Sequence, residues 1–148
     1  MTDSDVFQNL RESLDALDRA TGWLERSLDQ CREIDLQAEL DPAEHDALEA
    51  LTGRYARVSD MLVQKVYRAI DSVELEEGGS PLDVLNRAHK RQLIGSVDDM
   101  REIREVRNEV AHEYALEDLT GLFADVLRLA PQLITLRDRA KQYCHKYL

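Results

Sequence analysis

Apolar residues recur at steps of three and four through most of the chain, and little interrupts them. Phe7, Leu10, Leu14, Leu17, Thr21, Leu24, Leu28 and Cys31 form a first stripe. Leu48, Leu51, Tyr55, Val58, Leu62, Val66, Ile70 and Val73 form a second, and Leu122, Val126, Leu129, Leu133, Leu136 and Ala140 form the last. Strand-like alternation is absent. Only 3 prolines and 6 glycines punctuate 148 residues. A chain patterned this way buries its stripes by packing helix on helix, so the expected fold is all-α, an up-and-down bundle of about five helices.

The punctuation places the breaks. Asp3 or Ser4 is the expected cap of the first helix, which fades near Ile34. Asp41-Pro42 opens the second, with Pro42 in its first turn. Glu76-Glu77-Gly78-Gly79-Ser80-Pro81 is the clear loop, and Ser80, Pro81 and Asp83 then cap a short helix carrying Leu82, Leu85 and Ala88. Gly95-Ser96 is the next break. The fourth helix is expected from Val97 to His112, with Ser96 as cap. The fifth follows Glu117-Asp118, and Pro131 inside it predicts a kink, not an ending. There is no internal repeat. Neither side of the 76–81 loop is long enough to fold alone, so residues 1–148 make a single domain.

Charge narrows the function. The chain has 19 Lys+Arg against 30 Asp+Glu, a formal net charge of -11. That argues against a general nucleic-acid coating protein, whose affinity comes from neutralising phosphates. The excess is local. Residues 1–49 hold 14 acidic and 4 basic residues, whereas 50–81 hold 5 and 4, 82–112 hold 6 and 6, and 113–148 hold 5 and 5. A local anion-binding pocket in the later part is compatible with this. No apolar run approaches membrane-spanning length, and the N-terminus lacks the basic-then-apolar pattern of a signal peptide. Cys31 and Cys144 make neither a disulfide framework nor a zinc site, so a reducing cytoplasm is the expected compartment.

The fourth helix departs from plain amphipathic patterning. On a wheel of ~100° per residue, Met100, Ile103, Val106 and Val110 share one apolar sector and Arg107 falls at its edge. Asn108 and His112, four apart, stack beside Arg107, and Tyr114 returns near the same side. A guanidinium at a core border needs a reason: it either snorkels over the apolar edge or serves a site.

The string from Met100 to Tyr114, Met-Arg-Glu-Ile-Arg-Glu-Val-Arg-Asn-Glu-Val-Ala-His-Glu-Tyr, resembles the signature of the HEPN family, small helical domains found in prokaryotic toxin–antitoxin pairs. The family pattern is Arg, a polar residue that is very often Asn, three variable residues, then His. In the toxin branch paired with a minimal nucleotidyltransferase it extends to His-x-Tyr. Arg107, Asn108, His112 and Tyr114 occupy those places. The specific match covers about fifteen residues, and the helical architecture matches more loosely over most of the chain. The resemblance implies a HEPN-like bundle and a metal-independent endoribonuclease toxin of the type II or type VII kind, working as a homodimer. Its catalytic residues would be Arg107 and His112, supported by Asn108. It also implies a cognate nucleotidyltransferase antitoxin that transfers AMP to Tyr114, and an RNA substrate such as a tRNA or an mRNA. The alternative within the same family is a non-catalytic module that binds substrate or nucleotide for a separate nucleotidyltransferase.

The residue types suit the chemistry. RNA carries its own nucleophile, the 2′-hydroxyl. Cleavage needs a base to take that proton and an acid to protonate the leaving 5′-oxygen, and histidine serves either role near neutral pH. A guanidinium stabilises the charge gathering on phosphorus. Asn108 would bind a phosphate or hold the His112 tautomer. One histidine per chain is thin for both proton transfers, and a symmetric dimer supplies two. Neither metal nor cofactor is required. AMP on Tyr114 would block the cleft by bulk and negative charge.

Other residues have plainer expectations. Asp15, Asp18, Glu25 and Asp29 are expected to form a solvated acidic face. Arg137, Arg139, Lys141 and Lys146 are expected to favour a helix C-terminus. His45, His89 and His145 lack partners at metal-ligand spacing. Cys31 and Cys144 are expected to pack, as are Tyr143 and Tyr147. Trp23, beside Leu24 but off the stripe, is expected at a partly buried core position, with an exposed interface anchor as the alternative.

Overall fold

The computed structural model describes residues 2–112 and 119–148. Its helices are α1 (Asp3–Cys31), α2 (Pro42–Met61), a π-helical turn (Leu62–Val66), α3 (Tyr67–Val73), α4 (Pro81–Lys90), α5 (Val97–His112) and α6 (Thr120–Cys144), with a closing 3-10 turn at His145–Tyr147. Because the π turn joins α2 to α3 without a break, the described residues form five helical rods. Among the described residues there is no strand, so the fold is an all-α bundle. No helix among them is long and apolar enough to cross a membrane.

Local chemistry explains the starts. Asp41 and Ser80 each cap a helix that has proline in its first turn, and each is answered three residues on by Glu44 or Asp83 in a reciprocal capping box. Ser96 Oγ accepts from the Asp99 N–H at 3.2 Å, which caps α5. The cap of α1 is Thr2, not Asp3 or Ser4. Its hydroxyl accepts from Asp5 N–H while Asp5 Oδ2 accepts from Thr2 N–H, and only that register places an acid three residues along. Pro131 lies inside α6 without ending it.

The π turn also has a cause in the sequence. The second stripe runs Val58, Leu62, Val66, Ile70 in steps of four, and all four residues are fully buried. At ~100° per residue each such step overshoots a full turn by about 40°. A π turn unwinds the helix locally and keeps the stripe on the core.

α1 packs along α2 and α6, α2 packs against α5 and α6, and α5 packs against α6, while α4 crosses the α3 and α5 end. The core runs through Leu10, Leu17, Leu24 and Leu28 of α1, Leu48, Leu51 and Tyr55 of α2, and Val126, Leu129 and Leu133 of α6. Cys31 and Cys144 are buried and unpaired by disulfide.

Three expectations are corrected. The acidic face of α1 is not simply solvated, because Asp18 and Glu25 accept from Arg137 and Asp18 also from Lys141, sealing α1 to α6. Arg137 therefore serves that seam rather than a helix terminus, while Lys141 serves the seam from the last turn of α6. Trp23 is 55% exposed. It lies one position off the stripe, and its ring faces outward at the edge of the α1–α2 seam.

Candidate functional site

α5 is fixed from behind by α2. The buried Tyr55 hydroxyl donates to the Ile103 carbonyl at 2.8 Å, one turn before Arg107. Met100, Ile103 and Val106 are buried and Val110 half-buried, so the apolar sector faces the core as its spacing predicts. Arg107 emerges at the edge of that sector, with 26% of its side chain exposed.

What meets Arg107 there is Asp60. The guanidinium donates from Nε to Oδ1 at 2.7 Å and from Nη2 to Oδ2 at 2.8 Å, a bidentate fork. Arg104, one turn earlier, donates from Nη1 to the same Oδ1 at 2.7 Å and to the buried Ser59 hydroxyl at 3.0 Å. Burial pushes the Asp60 carboxyl up, but the two guanidiniums outweigh it and hold it below the usual carboxylate range. Two cations share one carboxylate, so the cluster keeps a net positive charge. Arg107 also keeps one edge of its fork, carrying Nη1, outside the pair.

Grooves flank the cluster. One of about 390 Å³ runs over Asp60, Lys65 and Arg107. Another of about 520 Å³ opens between the π turn, α4 and α5, and includes Arg68, Arg101, Arg104 and Asn108. Gln64 lies between them and lines both. Arg107 and Asn108 thus face adjoining grooves. Asn108 and His112 are exposed rather than set at the core border. His112 ends α5, stands outside both grooves, and its side chain makes no hydrogen bond to another described residue. Tyr114 lies outside the described residues.

Asp60 and Ser59 escape a reading of the sequence. They sit between Val58 and Leu62, Ser59 buried and Asp60 at the border, more than forty positions from their partners. Composition and spacing do not connect such residues.

Contrary to the expectation for His45, the start of α2 brings His45, Asp46 and Glu49 together, with one ligand atom of each lying within 4.8 Å of the others. His45 Nδ1 is 3.5 Å from Glu49, and its ring packs edge-on to Phe123. The donors are largely exposed, as in many surface acid pairs that hold no ion.

Against protein-family models, the curated proteins and the solved structures, the chain gives no match. The class supported at this level is an all-α bundle with an arginine–carboxylate cluster at the base of an exposed Arg-Asn…His helix end.

Proposed function

We propose that this chain is a HEPN-type, metal-independent endoribonuclease toxin that acts as a homodimer. The observation that carries the reading is Arg107. It sits at the core border in a fixed bidentate pose on Asp60 and still presents an N–H edge toward a groove. Asn108 follows it, and His112 stands just over one turn away at the exposed helix end. A positioned guanidinium of this kind stabilises a phosphorane without reorganising at the moment of reaction. A second copy of α5 set against this one would bring two histidines to the scissile phosphate, one as base and one as acid.

In this reading the 2′-oxygen attacks phosphorus, its proton passes to one imidazole, and the 5′-oxygen leaves with a proton from the other. The products are a 2′,3′-cyclic phosphate and a free 5′-hydroxyl. A nucleotidyltransferase antitoxin silences the toxin by transferring AMP from ATP to the Tyr114 hydroxyl, the α–β phosphoanhydride breaking and pyrophosphate leaving. The non-catalytic alternative draws on a separate observation: no described group holds the His112 ring.

Purified wild type, Arg107→Ala and His112→Ala, incubated with total RNA in EDTA, separate the two. The enzyme reading expects wild-type cleavage with cyclic phosphate ends and a loss of at least a hundredfold in both variants. No cleavage by any of the three moves the assignment to the binding module. Mass spectrometry for AMP on Tyr114 then tells a silenced toxin from a chain that never cuts.

A further inference from the structure

The groove over Asp60 continues away from the motif helix. A third hollow, of about 400 Å³, lies between α1 and α2 and is lined by Arg19, Trp23, Arg54 and Arg57. It shares Arg57 and Met61 with the groove over Asp60, which in turn shares Gln64 with the groove at Asn108. The three form one track that follows the outer face of α2 and continues over the π turn to α4 and α5. Its lining holds eight cations (Arg19, Arg54, Arg57, Lys65, Arg68, Arg101, Arg104, Arg107) and two carboxylates, Asp60 and Glu105. This is the reverse of the balance in the whole chain, whose net charge is -11.

Most of these cations have no polar partner among the described residues. The side chains of Arg19, Arg57, Lys65, Arg68 and Arg101 make no hydrogen bond or ion pair to another described residue. Elsewhere Arg32, Arg87, Arg91, Arg128 and Arg137 are each matched to a carboxylate. At the far end of the track stands Trp23, 55% exposed and the only tryptophan. The Arg54 guanidinium lies 5.1 Å from its ring centroid, pinned by a 2.6 Å bond from Nη1 to Ser27 Oγ. An exposed aromatic ring followed by a line of unmatched guanidiniums is the surface that single-stranded nucleic acid uses, bases stacking and phosphates following the cations. An acidic protein segment would meet the same charges without using the ring. Arg54 to Arg68 spans roughly 20 Å of helix at ~1.5 Å per residue, room for a few nucleotides.

We infer that this track binds single-stranded RNA and leads it to Arg107, with a base on Trp23 and backbone phosphates along Arg57, Lys65 and Arg68. The choice of RNA rests on the ribonuclease reading; the binding itself rests on the track.

The test uses the full chain carrying His112→Ala, so that cleavage does not consume the probe. A short oligouridine is titrated while tryptophan fluorescence, which reports Trp23 alone, is followed. Saturable quenching that weakens with salt is expected. Adding Arg57→Ala, Lys65→Ala and Arg68→Ala should weaken binding at least tenfold and flatten the log–log salt slope by about 2, at ~0.7 per phosphate contact. The melting temperature should hold, because these side chains anchor nothing. With labelled RNA followed by anisotropy, Trp23→Ala should bind about tenfold more weakly and Trp23→Phe should keep most of the affinity. Absent binding, or equal binding by the triple variant, overturns the track. Binding that leaves Trp23 fluorescence unchanged overturns the stacking. Equal quenching by a polyglutamate peptide overturns RNA in favour of an acidic protein. RNA binding beside a wild type that cuts nothing supports the track and refutes the ribonuclease. Wild-type cleavage undiminished in an otherwise wild-type triple variant refutes the track and leaves the ribonuclease standing.

Discussion

Arg91 and Arg107 are both guanidiniums set on carboxylates, but the two ends of the bundle use them differently. Arg91 is 8% exposed and donates to Asp71, Glu74 and Glu76. Arg87 joins it on Asp71, and the Tyr143 and Tyr147 hydroxyls donate to the same Glu74 oxygen. Asp71 and Arg91 are enclosed, and the network locks α3, α4 and α6 together. Arg107 meets one carboxylate along one edge and keeps the edge carrying Nη1 outside that pair. The same pair of groups closes a fold where carboxylates surround the cation, and presents a cation where they do not. A net charge or a count of ion pairs does not distinguish these cases.

The sharpest way to break the comparison is at its enclosed end. Asp71 is 2% exposed and answers two arginines. Asp71→Ala leaves both guanidiniums without their main partner, and removing one side of a buried pair costs about 3–5 kcal/mol. A fall in melting temperature on the order of 10 °C is expected, at ~2–4 °C per kcal/mol for a chain near this size. A shift under 2 °C would mean that Glu74 and Glu76 hold Arg91 alone, and the enclosed network would lose its structural standing.

Asp60→Asn tests the presented end and should act differently. Asp60, Arg104 and Arg107 are each about a quarter exposed, so water compensates part of the loss. The expected cost is about 2 kcal/mol, the scale of hydrogen bonds to a charged group. Its larger effect should fall on the site. Without the fork, Arg107 loses its fixed pose, and RNA cleavage should drop tenfold or more while RNA binding changes little. A variant that melts early but cleaves normally would reduce Asp60 to a structural partner.

The two ends were unequally legible in the sequence. Stripes and caps are local, so the rods, the capping boxes at Asp41 and Ser80, and the span of α5 follow from spacing alone. Arg107 was legible as a charge at a core border because four neighbours on the wheel define that border. Its partner was not, because Asp60 is joined to it only by packing. Trp23 misled for a related reason: one wheel position off the stripe is compatible with core or surface, and the path of α2 decides. The cation track was hidden by averaging. Its members come from α1, α2, the π turn, α3 and α5, and within each segment acids on other faces cancel them. The α1 acids that looked solvated belong to a seam with α6 that only the fold assembles.

The smallest expected effect is the pH response, and it reads the same contrast from both sides of neutrality. Burial alone would raise the Glu74 carboxyl, but hydrogen bonds from Tyr143, Tyr147 and Arg91 hold it below its usual 4.5. Asp60 likewise lies below 3.8. A carboxyl depressed in the folded state stabilises above its unfolded value, and that contribution is lost as pH falls through the folded one. Both ends should therefore weaken together only below about pH 4. On the alkaline side they separate. Burial and then the Glu74 carboxylate raise the Tyr147 hydroxyl from 10.0 to about 12, and the same two causes raise Tyr143. A raised group stabilises fully below its unfolded value and loses that contribution as pH climbs through the folded one. Melting temperature should fall between about pH 10 and 12, and Glu74→Gln should flatten that fall because the negative partner is gone. Asp60→Asn should leave it unchanged, since no tyrosine hydroxyl bonds to Asp60 among the described residues. An equal alkaline fall in wild type and Glu74→Gln would show that burial alone holds the tyrosines protonated, and that the enclosed network ends at Arg91.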